Sequence, residues 1–380
     1  MPLLVRRKIK GNFTSIAFDC SSASLISSSD LFRINIPCLA KKYEGYVLPR
    51  RKYRNELIRA IRLYSSKGHG YEMHKECNKC GKPSVYSRPY SGQHLCALCF
   101  IASIEEKVKR TIAKYDMLEH NDRIAVAVSG GKDSLALVRI LKQICSGHDS
   151  SLEVITIDEG IAGYRDEGIQ LAKEISTDLG LRMHLFSYEE IFGMGLDEAL
   201  RRRGDMKITA CSTCGPFRRR AIDLAARKIG ATVIATGHNL DDIIQTHFIN
   251  TLSGDFERIR QLDPILRPKN PDAIRRIKPL MEIYEREIAF HSYVSGNRFQ
   301  NISCPYMNEG IRSEIRQMLN ALEKEHSGIK YTTLRAVIGI AQSLDIQKDD
   351  SASQCLKCGE ISSNNLCQIC HNIELLQMKK

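Results

Sequence analysis

Nowhere does the chain have the roughly 18 consecutive apolar residues of a membrane span, and its opening, MPLLVRRKIKGNF, lacks the apolar stretch of a secretory leader. Both absences speak against a membrane protein and point to the cytosol. Tryptophan is absent, and the Gly-x4-Gly-Lys spacing of a Walker loop is missing as well. With 43% hydrophobic and 26% charged residues among 380, the composition excludes wholesale disorder, a collagen repeat and a disulfide-dense miniprotein. Acidic residues are in deficit, 44 against 56 basic ones, and the resulting +12 makes nucleic acid the first partner to consider. Most of that excess, however, lies in residues 1–72. The remainder is nearly neutral, so whole-chain charge is a weak reason to invoke RNA.

Cysteine is abundant. Of 14 cysteines, eleven fall into three groups, which in a reducing compartment read as ligands or reactive thiols rather than disulfides. Cys77-x2-Cys80 and Cys96-x2-Cys99 have 15 residues between the pairs, and Cys355-x2-Cys358 and Cys367-x2-Cys370 have 8. Each quartet has the spacing of a four-thiolate zinc ribbon, whose closed tetrahedral shell suits a structural role. Cys211, Cys214 and the distant Cys304 form a different set, because three thiolates leave a fourth metal position open. Placed just before an expected helix, Cys211 and Cys214 gain acidity from its N-terminus. One chemistry for this set is a relay in which Cys211 or Cys214 carries a persulfide and Cys304 resolves it as a disulfide.

Between the outer quartets, short apolar runs alternate with amphipathic stretches, the pattern of βα units around a parallel sheet. The expected strands are IAVAV from Ile124, EVITI from Glu153, RMHLF from Arg182 and TVIAT from Thr232. Leu135, Val138, Leu141 and Ile144 follow the first at helical spacing. The link is SGGKDS, residues 129–134. A loop leaving a buried strand and opening a helix turns its backbone N–H groups outward, with Gly130 and Gly131 allowing close approach. Lys132 adds a point charge and Ser129 and Ser134 add hydroxyls, so the loop suits a pyrophosphate. Residues 1–72 read as a basic extension of unassigned fold, with Met73 as an alternative start. A zinc ribbon at 73–103, a catalytic domain at 104–330 and a helical segment with a second ribbon at 331–380 complete the expected organisation.

On these residues the chain resembles the PP-loop ATP pyrophosphatases, with an α/β doubly wound fold of the adenine nucleotide alpha hydrolase type. ATGHNLDD from Ala235 to Asp242, RIKPL from Arg276 to Leu280 and the flanking quartets look like the two-zinc-finger tRNA-uridine 2-sulfurtransferases. That branch includes the TtuA enzymes and the archaeal and eukaryotic wobble-uridine thiolases, and is related to TtcA. The resemblance runs from about Cys77 to Cys370. It implies ATP-dependent 2-thiolation of a tRNA uridine, with O2 adenylated before sulfur enters. It implies ATP at Ala127, Ser129, Gly130, Gly131, Lys132, Asp133, Ser134, Ile157, Asp158, Arg218 and Gly237. It implies Mg²⁺ at Asp133 and Asp242, two zinc ions in the ribbons, and a [4Fe–4S] cluster on Cys211, Cys214 and Cys304. Lys132 and Asp242 join those three cysteines as catalytic candidates. For His238 and Asp241, helix capping is the competing role, preferred for Asp241. A ubiquitin-like sulfur carrier with a C-terminal thiocarboxylate, or free sulfide, as sulfur donor and a homodimeric state are further implications. Arginine-rich segments around 201–203, 218–220 and 258–278 are candidates for tRNA phosphate contacts or for solvated helix faces, while Arg312 and Arg316, one helical turn apart, are candidates to face either RNA or the cluster. The rival functions are an amine-ligating PP-loop enzyme, which needs no cysteine triad, and a non-catalytic zinc-ribbon RNA-binding protein, which needs no phosphate loop.

Overall fold

The computed structural model describes the strands Val5–Ile9 and Asn12–Ile16, then residues 75–203, 209–264, 274–307, 311–344, 353–359, 361–362 and 364–377. Most of the basic extension, Met73, Arg267 and Lys269 lie outside the described residues. The chain divides into two compact units, Met1–Ile61 and Arg62–Lys380. In the first, β1 (Val5–Ile9) pairs antiparallel with β2 (Asn12–Ile16), Val5 opposite Ile16.

The second unit opens with a small hairpin of β3 (Tyr86–Arg88) and β4 (Gln93–Leu95), which leads directly into α1 (Ala97–Lys114). A five-stranded sheet follows, built from β5 (Arg123–Ala127), β6 (Ser151–Asp158), β7 (Met183–Ser187), β8 (Val233–Thr236) and β9 (Arg275–Ile277). All pairings are parallel and the order is β7-β6-β5-β8-β9. The four strands expected from the sequence are present. The fifth, β9, was hidden because its three residues, Arg-Arg-Ile, carry no apolar run. It forms because its backbone completes the ladder of β8, with Ala235 opposite Ile277.

Between β5 and β6 runs α2 (Lys132–Cys145), whose buried positions include Leu137 and Ile140 beside the expected Leu135, Val138 and Leu141. The apolar face is wider than one stripe because α2 packs on the sheet on one side and on later helices on the other. Next come α3 (Arg165–Leu179), α4 (Tyr188–Phe192), α5 (Leu196–Arg202) and α6 (Ala210–Lys228). Then α7 (Leu240–Leu252) and α8 (Phe256–Arg260) precede β9, while α9 (Glu285–Val294), α10 (Arg312–Glu325) and α11 (Ile329–Ser343) follow it. A short pair, β10 (Ser353–Gln354) and β11 (Ile361–Ser362), and α12 (Gln368–Gln377) close the chain.

One apolar core runs from Leu95 and Phe100 of the first ribbon, through the sheet, to Leu334 and Val337 of α11. The boundaries expected near 103 and 330 therefore do not interrupt the packing. A second cluster, on the opposite side of the sheet, joins Ile155 and Ile234 to Phe217 and Ala221 of α6. Complete burial of each large side chain such as Phe100 or Leu137 contributes about 2 kcal/mol.

One core residue makes this packing sensitive to acid. His291 in α9 is buried, neither ring nitrogen has a hydrogen-bond partner, and burial together with Arg139 lowers its pKa to about 4. The unfolded chain binds that proton near pH 6.5, well before the folded one does, so stability is lost as pH falls from 6.5 toward 4. Denaturant titrations at pH 7 and pH 5 should show wild type losing about 2 kcal/mol more than His291→Gln over that interval.

Candidate functional site

Strand β5 lies at the centre, the chain passes outward to β6 and β7, and it then returns to β8 on the other side of β5. That reversal is the switch point at which open α/β sheets bind ligands, beyond the carboxyl ends of the strands. SGGKDS leaves β5 there and Gly237-His238 leaves β8 beside it. Gly131 is the N-cap of α2 and supplies no side-chain cap, and its own N–H makes a long 3.4 Å contact to the Ser129 hydroxyl. Gly130 has φ +87°, and a Cβ on it would stand 2.4 Å from the Cα of Gly168, so the loop rests directly on the first turns of α3. A Cβ at Gly237 would come within 3.0 Å of the Ser134 nitrogen. The space at 237 is thus taken by the head of α2. Ser134 spends its hydroxyl inside the loop, donating to the Gly131 carbonyl at 2.9 Å and accepting from the Ser129 N–H at 3.2 Å.

Acidic groups crowd the loop's single ammonium. Lys132 Nζ lies 2.9 Å from Asp133 and 2.9 Å from Glu285, the first residue of α9. Burial alone would lower the Lys132 pKa, but the two carboxylates reverse that and raise it. Burial raises Asp133, against the pull of Lys132, and pushes Asp242 up to about 6 with help from repulsion by Asp133. Asn239 joins these two acids, donating its side-chain N–H to Asp133 at 3.1 Å and its backbone N–H to Asp242 at 3.2 Å. Their oxygens and spacing about one asparagine fit a hard divalent cation, which needs only one or two carboxylates beside the phosphates. Asp242 also completes the capping box of α7, whose N-cap is Asn239. Asp241 caps too, but another helix: its Oδ2 accepts the Glu285 N–H at 2.8 Å.

The cysteine triad stands on the neighbouring element. The helix begins earlier than the sequence suggested, so Cys211 and Cys214 lie within the first turns of α6, behind the N-cap Thr209. Cys214 is buried and Cys211 exposed. The Cys214 sulfur accepts from the Arg218 guanidinium at 3.4 Å and lies 3.6 Å from the Tyr188 hydroxyl. Burial raises its pKa, while Arg218 opposes the rise. Cys304 packs against the same apolar cluster and acts electrostatically on Cys214. Its segment is moored at both ends. The Gln300 N–H donates to the Gly130 carbonyl at 3.0 Å, and the Tyr306 hydroxyl donates to Asp197 at 2.8 Å.

Among the described residues, only the two quartets gather three or more ligand atoms within 4.8 Å. Such tight convergence suits a single zinc ion in each. The backbone N–H groups of Cys96, Lys79 and Cys80 outweigh the effect of burial at Cys77 and lower its thiol to about 6, and those around Cys355, of Cys367 foremost, do the same there. The triad is wider, as thiolates around a multi-iron cluster must be, and it contains no carboxylate or imidazole. Three sulfurs, an adjacent arginine and an apolar wall fit such a cluster.

The basic segments separate into two kinds. Arg202 pairs with Glu198, Arg258 with Asp255, Arg260 with Glu257, and Arg275 with Glu119 and Asp122, all local or structural pairs. Arg218, Arg276, Lys278 and Arg312 instead surround the exposed His238, and crowding by protein together with those cations lowers its pKa to about 3. The Thr236 hydroxyl holds one face of that neutral ring, 2.8 Å from Nδ1. Burial and Arg276 lower Lys278 to about 8. Sequence reasoning missed Glu159, Arg165, Glu285 and Gln300. Each is a single residue outside any spaced motif, recognisable only by what it touches.

A family model described as a PP-loop domain matches residues 102–322, and one described as the N-terminal LIM domain of the 2-thiouridine synthetase TtuA matches residues 76–101. The cytoplasmic tRNA 2-thiolation protein 1 of Drosophila melanogaster is 34% identical over 308 residues, which is 80% of this chain and 88% of that protein. Its counterpart in Drosophila pseudoobscura pseudoobscura is 35% identical over 301 residues, covering 78% and 86%. The solved U34-tRNA thiolase NcsA from Methanococcus maripaludis, with its [4Fe–4S] cluster, superposes with a TM-score of 0.70 at 30% identity, over 80% of this chain and 97% of that one.

If each quartet closes on one zinc ion, Cys358→Ser should remove one of two zinc equivalents measured by elemental mass spectrometry and leave the other. Cys77→Ser should do the same at the first ribbon and lower the melting temperature further, because that ribbon shares the main core.

Proposed function

The chain belongs to the PP-loop family of tRNA 2-thiolation proteins, and from that membership we propose a working sequence for its ATP-dependent 2-thiolation of a tRNA uridine. The observation that carries the reading is the mooring of both halves of the triad to the phosphate loop. Cys304 is tied to it through Gln300, and Cys214 through Arg218, Glu159 and Arg165. Nucleotide activation and sulfur delivery thus meet at one place.

The triphosphate lies along the first-turn N–H groups of α2, with adenine against Ile157 and Asp158 at the end of β6. Asp133 and Asp242 would hold a magnesium ion, which would supply charge neutralisation for the phosphates. The uridine O2 attacks the α-phosphorus, and pyrophosphate leaves. Lys132 and Arg218 stabilise the charge that develops, the term that dominates such transfers. Cys211, Cys214 and Cys304 would hold a [4Fe–4S] cluster, which would supply a binding place for sulfide, and AMP departs from C2 as sulfur enters. The wobble uridine is the target we favour, because the structural relative acts on U34. A thiocarboxylate-bearing carrier protein as sulfur donor, two structural zinc ions, cytoplasmic location and homodimerisation belong to the same proposal.

Anaerobic incubation with ATP, sulfide and bulk tRNA, followed by nucleoside mass spectrometry, should yield 2-thiouridine derivatives. Lys132→Ala should slow pyrophosphate release at least about 100-fold while tRNA affinity holds; parallel loss of both counts against the assignment. Cys304→Ala should lose bound iron and thiolated product, whereas unchanged iron content and activity would rule out the cluster.

A further inference from the structure

Strand β6 ends at Asp158, and the next residue, Glu159, is a buried carboxylate between two arginines from different helices. One oxygen accepts from Arg218 Nε at 2.8 Å. The other lies 2.5 Å from Arg165 Nε as an ion pair, its N–H not aligned on that oxygen. The second arginine is equally committed. Arg165 donates to the Ser129 carbonyl at 3.0 Å and to the Ile157 carbonyl at 2.8 Å, clamping the phosphate loop to the end of β6. On the outer side, Arg218 reaches the Cys214 sulfur at 3.4 Å. The chain of contacts is therefore phosphate loop, Arg165, Glu159, Arg218, Cys214. About half of the Arg218 side chain remains exposed, with 47% of its surface accessible, while Glu159 keeps only 3%.

We propose that Glu159 is a positioning residue: it fixes the one direction in which Arg218 faces both the nucleotide and Cys214, and locks that direction to the phosphate loop through Arg165. It touches neither ATP nor sulfur itself. An arginine four residues along the same helix turn would otherwise sample many rotamers, and a two-point hold on its stem, by carboxylate at Nε and thiol at Nη2, removes that freedom. Glu159's own backbone is held as well, since its carbonyl accepts the Leu196 N–H at 2.7 Å at the start of α5. The inference rests on the proposed nucleotide contact of Arg218.

A double-mutant cycle on cluster-free full-length protein tests it, with the affinity for the α,β-methylene analogue of ATP as readout and melting temperature as the control for folding. Glu159→Gln and Arg218→Ala should each weaken binding about 10-fold, and the double variant should be no more than about 3-fold weaker than either, because both remove the same oriented guanidinium. Losses that multiply, or binding within twofold of wild type in Glu159→Gln when Arg218→Ala has lost it, overturn the positioning role alone. Unchanged binding in Arg218→Ala overturns the nucleotide contact and the inference with it. Should Glu159→Gln not accumulate as folded protein, Glu159→Asp keeps the buried charge but shortens its reach, and the same cycle and the same outcomes apply to it.

Discussion

Two places where backbone packs on backbone, with no side chain between, govern the geometry of the site. Gly130 lies on Gly168, and Gly237 lies on the head of α2. At 168 an added Cβ would approach the Ser129 carbonyl to 2.6 Å, and since both partners are backbone, neither rotates aside. The phosphate loop is thus clamped between the first turns of α3 and the tip of β8. Its side chains then fall where they do as a consequence: Arg165 beneath the loop, Lys132 above it, and Asn239 across from Asp133.

The charges around that clamp are arranged by one short stretch of α9. Glu285 faces Lys132 of the loop, and two residues later Glu287 is wholly buried, 2.6 Å from Arg88 of the first ribbon, with the Tyr90 hydroxyl on the same oxygen at 2.7 Å. Residues two apart on a helix point to different sides, so one turn addresses both the nucleotide loop and the zinc ribbon. A buried ion pair adds little net stability, yet removing one partner leaves a charge stranded in the core. The Arg88–Glu287 pair is therefore better understood as fixing the seating of the ribbon on the core than as a source of stability. Asp241 extends the same logic, since it caps α9 at Glu285 and pairs with the buried Lys330 of α11.

What could be read before folding was whatever repeats or is spaced. Four central strands announced themselves by apolar runs, the phosphate loop by its place between strand and helix, and the cysteine quartets by Cys-x2-Cys. Strand β9 could not be read, because Arg275 and Arg276 are held by Asp122 and Asp223 rather than by an apolar face. Asp241 was legible as a helix cap but not as the cap of α9, because its partner lies 44 residues away. Glu159 and Gln300 illustrate the general limit: a lone polar residue has no period, and its role exists only once distant elements close around it.

Charge shows the same dependence on closure. The arginine clusters looked alike in sequence, but acid partners neutralise most of them in the fold. Arg276 is paired with Asp223 and Arg218 with Glu159, whereas Arg312 meets only the uncharged Gln245 and Thr246 side chains among the contacts at its end groups. Lys278, lowered to about 8 by burial and Arg276, holds its proton only weakly. Lys278 and Arg312 stand beside a His238 that stays neutral, each under the pull of an internal acid, Asp263 on Lys278 and Asp242 on Arg312. A polyanion arriving there raises the Lys278 pKa and strengthens the charge that attracts it. Positive potential beside the switch point is therefore a matter of particular cations and their neighbours, and not of the +12 of the whole chain.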